Sequence, residues 1–122
     1  MKRMTKQREA ILRHLSEKKR PLSIEELLAF VAEELPSINL STIYRNLKGM
    51  VEEGKIAIVD VPKEKPRYEL IGTGHHHHFR CDRCNKVFNI HNCPGELQNM
   101  IPQGFRLLGH SITLNGLCIN CL

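Results

Sequence analysis

The chain has 122 residues, enough for one domain or for two very small domains that would need extra stabilisation, such as a bound metal. Its formal net charge is only +5, and no apolar stretch approaches the ~20 residues of a membrane-spanning helix. The first 20 residues nevertheless contain eight Lys or Arg against two Glu, a local excess of +6. Such a cluster is typical of a nucleic-acid contact, and equally of a solvated helix face.

Three helices are predicted in the first half of the chain. Thr5 is suited to cap the first helix. Ser23 and Glu26 have the capping-box spacing and predict the start of a second helix, whose apolar periodicity runs to residue 35. A third amphipathic helix begins near Asn39 and is expected to end at Gly54.

Two β-prone runs follow the helices, at 55–61 and 67–71, and a proline-containing turn separates them. Three helices and a hairpin are the element order of a winged helix, in which the third helix enters the major groove and the hairpin contacts the DNA backbone. A small α+β fold without a particular function is the alternative. The predicted DNA-contacting residues are polar and are not needed for the core: Ser41, Thr42, Tyr44, Arg45, Lys48, Lys63 and Lys65.

The segment from Ile71 to Gly74 contains two glycines and is predicted to be a hinge. We therefore expect an α+β protein with two domains, a winged-helix DNA-binding domain at 1–71 and a small metal-binding domain at 72–122. The second domain is predicted to contain strands at 76–81, 86–90 and 105–114 and a short helix at 94–100. Its three phenylalanines would serve a small core or a subunit interface.

The second domain carries two Cys-x-x-Cys motifs, with 33 residues between them. Each motif can present two thiolates to one tetrahedral ion, so the spacing predicts a structural Zn²⁺ site. The predicted ligands are Cys81, Cys84, Cys118 and Cys121. Two disulfides or a redox pair are the alternatives. The basic, charge-interrupted N-terminus does not resemble a secretory signal, so we expect the reducing cytoplasm, where metal binding is favoured over disulfides.

Four consecutive histidines, His75 to His78, precede the first cysteine motif. A site with four thiolates needs no histidine, so the run is available for a second metal with a different role. Alternation along a strand places His75 and His77 on one face and His76 and His78 on the other. The run is therefore expected to serve two sites.

A series of motifs then lies in order along the chain: Thr5-Lys6-Gln7-Arg8, Leu40-Ser41-Thr42-Ile43-Tyr44-Arg45-Asn46-Leu47, Tyr68-Glu69-Leu70, the histidine run, Cys81-x-x-Cys84 and Gly109-His110-Ser111. Together they resemble the ferric uptake regulator family of metal-dependent bacterial repressors. The resemblance covers nearly the whole chain. It implies a homodimer built from the C-terminal part, in which a winged helix on each subunit binds a palindromic double-stranded DNA operator.

The resemblance also implies two sets of regulatory metal ligands. The first set is complete in this sequence and consists of His75, His77, Glu96 and His110. Three imidazoles and a carboxylate suit Fe²⁺ or Zn²⁺ equally. Cys93 lies one turn before Glu96 in the predicted helix. It is either an extra ligand that favours zinc or a small hydrophobe with no metal role.

The second set lies on the hinge side and is incomplete. Glu69, His76 and His78 match it. Arg20 and Pro21 stand where many family members have a histidine, and Asn89 stands where a carboxylate is common.

From these observations we expect a cytoplasmic, metal-responsive transcriptional repressor that controls metal-homeostasis genes and is not an enzyme. Iron is the first expectation for its regulatory metal, with a zinc-uptake regulator as a close alternative. A peroxide-stress regulator ranks lower, because Asn89 replaces a carboxylate. Two alternatives come from other classes: a zinc-ribbon adaptor that binds protein or RNA, and a zinc hydrolase with an open histidine site.

Overall fold

The computed structural model describes residues 5–72 and 74–122. The chain divides into two compact units, Met1–Gly74 and His75–Leu122. This division falls at the end of the predicted hinge, where Gly72 and Gly74 have φ angles of +103° and +79° that disfavour a side chain. Thr73 of the hinge, and Lys2 and Arg3 of the basic N-terminal cluster, lie outside the described residues.

The first unit begins with three helices: α1 (Lys6–Lys18), α2 (Ile24–Ala32) and α3 (Leu40–Glu52). Thr5 and Ser23 cap α1 and α2 as predicted, and Asn39 caps α3; each accepts a hydrogen bond from a backbone N–H in the first turn. The capping box of α2 is complete, since the Glu26 side chain also accepts from the Ser23 backbone N–H. Helix α2 ends three residues before the predicted limit of residue 35, in a turn that precedes Pro36.

The helices pack around one apolar core. Ile11 of α1, Leu27 and Val31 of α2, and Ile43 and Leu47 of α3 are fully buried in it. These residues recur at helical spacing, so each helix buries one face and leaves its polar face outside. For α3, this arrangement sends the residues between the buried ones toward solvent.

A two-stranded antiparallel hairpin completes the first unit. Strand β1 (Ile56–Val59) pairs with β2 (Arg67–Leu70), with Ile56 opposite Leu70. Leu22 adds a single bridge to Tyr68 through two backbone hydrogen bonds of 2.9 and 2.8 Å. Three helices followed by this hairpin confirm the predicted winged-helix order.

The second unit contains a three-stranded sheet of order β4-β3-β5. Strand β3 (His77–Cys81) pairs antiparallel with β4 (Val87–Ile90) and parallel with β5 (Thr113–Gly116). Two short 3₁₀ helices, Leu97–Met100 and Ile119–Cys121, complete the unit. The helices and sheets together confirm the α+β class.

Two predicted elements of the second unit are shorter than expected. The predicted strand 105–114 is regular only from Thr113, because β3 begins at His77 and offers no paired strand to the earlier residues. The predicted helix 94–100 is reduced to the 3₁₀ turn at Leu97–Met100, since Gly95 adopts a φ of +84° that a helix cannot contain.

The second unit has little apolar interior. Among its described residues the buried side chains are His77, Cys81, Val87 and Cys118. Phe105 is 65% exposed and takes no part in a core. Cysteines and a histidine thus occupy positions that aliphatic side chains fill in most domains. None of the helices in the described part of the chain combines the length and the apolar composition needed to cross a bilayer.

Candidate metal centres and DNA-contacting face

The sheet of the second unit brings the two Cys-x-x-Cys motifs together. Cys81 ends β3, and Gly116 lies opposite it in the register of β5, so the second motif begins two residues beyond this pair. The backbone of β5 lies close to a side chain of β3 here, because a Cβ on Gly116 would lie 3.1 Å from the Phe79 ring. The four sulfurs lie within 4.8 Å of one another.

The sulfur geometry fits a tetrahedral ion. Four thiolates at the usual Zn–S distance would have sulfurs about 3.8 Å apart. The Sγ atoms of Cys84 and Cys118 are 3.9 Å apart. The donor set is the one that structural zinc sites use, so Cys81, Cys84, Cys118 and Cys121 fit the predicted Zn²⁺.

Backbone hydrogen bonds stabilise the thiolate form of Cys81. The backbone N–H groups of Cys84 and Cys118 donate to its sulfur at 3.5 and 3.4 Å. These bonds lower the pKa of the Cys81 thiol to about 6. Burial raises the pKa of Cys121 to about 12, and its three neighbouring thiols add to this effect. A bound cation would reverse the shift at Cys121, since a coordinated thiol loses its proton.

A second cluster lies at the start of β3 and consists of His75, His77, Cys93 and His110, whose ligand atoms also lie within 4.8 Å of one another. The ring centroids of His75 and His77 are 4.6 Å apart, and each lies 5.0 Å from that of His110. Cys93 Sγ lies 3.3 Å from His110 Nε2. We call this group the His/Cys cluster.

His77 is the innermost member of the His/Cys cluster. Its side chain is 2% exposed, and its Nε2 atom has no hydrogen-bond partner among the described residues. Burial lowers the pKa of His77, and the neighbouring His75 and His110 lower it further. The imidazole is therefore held neutral, which is the form that binds a metal.

Glu96, the carboxylate predicted for this site, lies outside the His/Cys cluster. It precedes the 3₁₀ turn, and its Oε2 atom accepts a hydrogen bond from Asn99 Nδ2 at 3.5 Å. The structure thus brings three of the four predicted ligands together and places Cys93 beside them. The local reason is the turn at Gly95, which redirects the chain between Cys93 and Glu96.

His76, just before β3, and His78, within it, alternate onto the opposite face of this segment, and their ring centroids are 4.9 Å apart. Asn89 lies opposite His78 in the β3–β4 register, and its Oδ1 atom is buried without a hydrogen-bond partner in the described residues. His91, which sequence analysis left unassigned, lies 6.1 Å from His76 between ring centroids. Its position two residues after Asn89 is the signal that could have placed it on this face.

Two residues of the first unit bear on the predicted hinge-side set. Glu69 lies in β2, and its grouping with His76 and His78 remains a prediction. Arg20, which stands at the position where family members often have histidine, donates to Glu26 Oε2 at 2.6 Å. A guanidinium has only N–H donors and no acceptor, so Arg20 cannot bind a metal, and the set lacks that ligand.

Helix α3 presents the predicted DNA-contacting residues on its solvent side. Ser41, Tyr44, Arg45 and Lys48 are exposed, and Thr42 is half-buried. Arg45 Nη2 lies 3.4 Å from Thr42 Oγ1, a long contact that leaves most of the guanidinium donors available. This face therefore has the donors that major-groove contacts require.

Arg8 supports α3 from α1, a role that sequence analysis missed. The residue is 8% exposed, and its guanidinium donates two hydrogen bonds to Glu53, at 2.8 and 3.0 Å. It also donates to Asn46 Oδ1 at 3.4 Å. A Cβ on Gly49 would lie 2.6 Å from its Nη2 atom, so the glycine is what admits the side chain.

Ion pairs with glutamates lower the net positive charge of the basic N-terminal cluster. Arg8, Arg13 and Arg20 each form an ion pair with a glutamate, so three of its cations are offset within the first unit. In the wing turn, Lys65 pairs with Glu25 Oε1 at 3.0 Å, and this bond lowers the pKa of Glu25. Lys63 lies in the same turn and is exposed.

The chain thus joins a winged-helix unit to a small unit that carries clusters of candidate metal ligands, which is a recognisable class of protein. Comparison with known proteins agrees with this class. The family model for the ferric uptake regulator family matches residues 1–115. The ferric uptake regulation protein of Synechococcus elongatus is 33% identical over 125 residues, which cover 98% of this chain and 85% of that protein.

Solved structures give the same result. A zinc-bound manganese uptake regulator has a TM-score of 0.84 and 32% identity, over 97% of this chain and 92% of that one. The Helicobacter pylori ferric uptake regulator, described as having three functional metal binding sites, has a TM-score of 0.74 and 25% identity, over 98% and 81%. The chain belongs to the ferric uptake regulator family. Proteins of this family are transcriptional regulators that act as dimers on DNA.

Proposed function

We propose that this chain is a metal-responsive transcriptional repressor of metal-homeostasis genes, acting in the cytoplasm as a homodimer on a double-stranded DNA operator. One observation carries the proposal. The same chain joins a winged helix, whose α3 exposes Tyr44 and Arg45, to a histidine cluster in which a buried ring nitrogen of His77 has no hydrogen-bond partner among the described residues. The first feature suits DNA, and the second suits a metal.

In this proposal the two kinds of metal centre have separate roles. The four cysteines hold Zn²⁺ permanently and stabilise the second unit, which has few buried apolar side chains. The histidine faces of β3 hold the regulatory ion, Fe²⁺ or Zn²⁺. Regulation then requires only that the metal-bound form binds DNA better, and a coupling free energy of ~1 to 3 kcal/mol is enough.

Exposed apolar side chains support a homodimer through the second unit. Leu108 is 87% exposed and Leu122 is 88% exposed. Met100, Phe105 and Ile119 are also largely exposed in a unit of fewer than 50 residues. Such a surface is unfavourable for a monomer in water, and a second copy would cover it.

The proposal is tested by measuring operator binding with and without metal. A palindromic operator is first selected from random DNA with the metal-loaded protein, and its affinity is then measured after mild chelation that leaves the structural zinc in place. We expect affinity to fall roughly 5- to 150-fold on chelation. Sequence-selective binding that is indifferent to the histidine-bound metal would contradict the metal response. A protein that selects no operator at all would favour the adaptor alternative.

Two substitutions on the DNA-contacting face sharpen this test. Arg45→Ala should lose roughly 1 to 3 kcal/mol of operator binding and relax base preference at one position in each half-site. Lys63→Ala is the matched control, since a backbone contact weakens binding to all sequences and reduces its salt dependence. If Arg45→Ala binds the operator as tightly and as selectively as the parent, α3 is not the recognition helix.

A zinc hydrolase is the less favoured alternative. A catalytic zinc site needs an open coordination position and a nearby general base. The His/Cys cluster already offers four ligand atoms, and Glu96, the nearest carboxylate in sequence, lies outside it. A peroxide-stress regulator also ranks lower, because Asn89 supplies an amide where that alternative expects a carboxylate.

A further inference from the structure

We propose that the second metal site of this chain is a Cys–His₃ site, in which Cys93 and not Glu96 is the fourth ligand, and that its thiolate makes the site selective for zinc over ferrous iron. The inference rests on the proposed function and extends it, because it identifies zinc as the regulatory ion of the repressor. It concerns the second unit alone and depends on residues of β3 and of the segments that carry Cys93 and His110.

The distances in the His/Cys cluster fit a tetrahedral zinc ion. At the usual Zn–N and Zn–S bond lengths, a nitrogen and a sulfur ligand would lie about 3.6 Å apart. Cys93 Sγ lies 3.3 Å from His110 Nε2. His75 and His77 complete the group, with one ligand atom each and all four atoms within 4.8 Å.

His77 provides an independent indication that the cluster holds a ligand. It is 2% exposed, and its Nε2 atom has no hydrogen-bond partner among the described residues. A buried polar atom left unpaired is destabilising. A metal ion bound at this nitrogen removes the penalty. Cys93 therefore does not stand as an isolated thiol, because its sulfur lies within 4.8 Å of a ring nitrogen of this buried imidazole.

The surroundings favour four ligands over six. Beside the cluster is a pocket of about 370 Å³ whose lining is mostly apolar: His77, Ile90, Asn92, Cys93, Pro94, Ile112 and Leu114. Apolar walls leave little support for the additional water ligands that an octahedral ion would require. Zinc accepts tetrahedral geometry and binds thiolate strongly, whereas ferrous iron lies below zinc in the affinity order of nitrogen and sulfur sites.

Glu96 is excluded from the site by the path of the backbone. Gly95 has a φ of +84°, and the chain turns there between Cys93 and Glu96. The Glu96 carboxylate instead lies within 3.5 Å of Asn99 Nδ2, on the 3₁₀ turn that follows. The family resemblance pointed to this carboxylate, and the thiol three residues earlier takes its place.

The test is cobalt spectroscopy on the full-length protein. The structural site is filled with one equivalent of zinc, and Co²⁺ is then added as the probe for the second site. We expect a thiolate-to-cobalt charge-transfer band and strong tetrahedral d–d bands. In Cys93→Ser the charge-transfer band should disappear, while Glu96→Gln should keep it. A parent spectrum without a thiolate band, or a band lost in Glu96→Gln and kept in Cys93→Ser, overturns the proposal.

Metal competition then measures selectivity. With a chelator as competitor, Cys93→Ser should weaken zinc binding at the second site by at least about 10- to 100-fold, the range in which metal sites lose affinity when a supporting group is removed. Binding of Fe²⁺ should change much less, so the zinc-to-iron preference falls. An unchanged preference in Cys93→Ser contradicts the inference. Retained structural zinc in each variant shows that the second unit remains folded.

Operator binding separates this inference from the proposed function. If the parent shows the Cys–His₃ spectrum but its DNA binding ignores zinc, the repressor proposal fails and the site assignment stands. If DNA binding depends on metal and Cys93→Ser behaves like the parent in spectrum and selectivity, the inference fails and the repressor proposal stands. If both hold, half-maximal operator binding in Cys93→Ser should require at least about tenfold more zinc.

Discussion

At the scale of single residues, the difference between two arginines of α1 shows how burial decides the role of a charge. Arg8 and Arg13 both pair with a glutamate from another part of the first unit, Glu53 and Glu34. The Arg8 side chain is 9% exposed and that of Arg13 is 43% exposed. Exposed pairs contribute little because water screens them, whereas a buried pair leaves an unsatisfied charge when one partner is removed.

We therefore expect Arg8→Ala to lower the free energy of unfolding of the first unit by roughly 2 to 3 kcal/mol, since several hydrogen bonds to charged groups are lost. Arg13→Ala is the control and should have a much smaller effect. Urea unfolding followed by tyrosine fluorescence measures both, because the chain has no Trp and its two tyrosines, Tyr44 and Tyr68, lie in the first unit. Equal losses in the two variants would show that the Arg8 contacts do not anchor α3.

At the scale of elements, the start of α2 combines a capping box with an ion pair. Glu26 accepts from the Ser23 backbone N–H at 3.1 Å with one carboxylate oxygen and from Arg20 at 2.6 Å with the other. Burial is the largest single effect on the pKa of Glu26 and raises it. The bonds from Arg20 and Ser23 together outweigh burial, so the pKa of Glu26 is lowered overall.

This lowered pKa predicts a pH dependence of stability. The unfolded chain has a Glu pKa of about 4.3, so the Glu26 contribution is fully present above that pH and is lost as the pH falls through the lower folded pKa. Glu26→Gln should lower the urea midpoint at neutral pH. As the pH is lowered, the urea midpoint of Glu26→Gln should then decrease less than that of the parent. The tyrosine signal reports this for the first unit, independently of zinc loss from the second.

Glu25→Gln is the control for the Glu26 prediction. Glu25 is in the same turn, and its pKa is also lowered, chiefly by the hydrogen bond from Lys65. Both side chains of that pair are more than half exposed. Its substitution should therefore change the acid profile less than that of Glu26. The reverse order would mean that the wing contact, and not the capping box, governs acid stability.

At the scale of the whole molecule, the two units are stabilised by different means. The first has a contiguous apolar core, whereas the second has four buried side chains in its described part, two of them cysteines. Structural zinc contributes directly to folding free energy when the apolar core is this small. The stability of the second unit should therefore depend on its cysteine cluster.

Replacing Cys81 by Ser should unfold the second unit and abolish its dimer, with loss of the structural zinc, while the first unit keeps its tyrosine-monitored transition. Metal analysis, hydrogen exchange resolved by unit and sedimentation equilibrium measure these outcomes. Cys93→Ser is the matched control and should keep the structural zinc and the dimer. A folded, dimeric Cys81→Ser protein with one fewer zinc would remove the structural role from the cysteine cluster.

Features that depend on short-range patterns could be predicted from the residues alone. Capping residues and apolar periodicity placed α1, α2 and α3, because these signals act within a few residues of one chain segment. Paired Cys-x-x-Cys motifs predicted a four-thiolate cluster, and strand alternation predicted that the histidine run faces two sides. By contrast, spacing could not show whether the fourth ligand of the second site is the Cys93 thiol or the Glu96 carboxylate, because both residues lie on the same short segment.

Which side chains meet depends instead on how distant segments of the chain pack together. The turn at Gly95 sets Cys93 against His110 and leaves Glu96 outside, a result that depends on backbone angles absent from the residue pattern. Likewise, the sequence places Arg8 in a basic cluster that reads as solvent-exposed. In the fold Arg8 is buried and contacts α3, because Gly49 leaves room for its side chain. Local propensity fixes elements, but the packing of distant segments fixes the ligands of a metal and the partners of a charge.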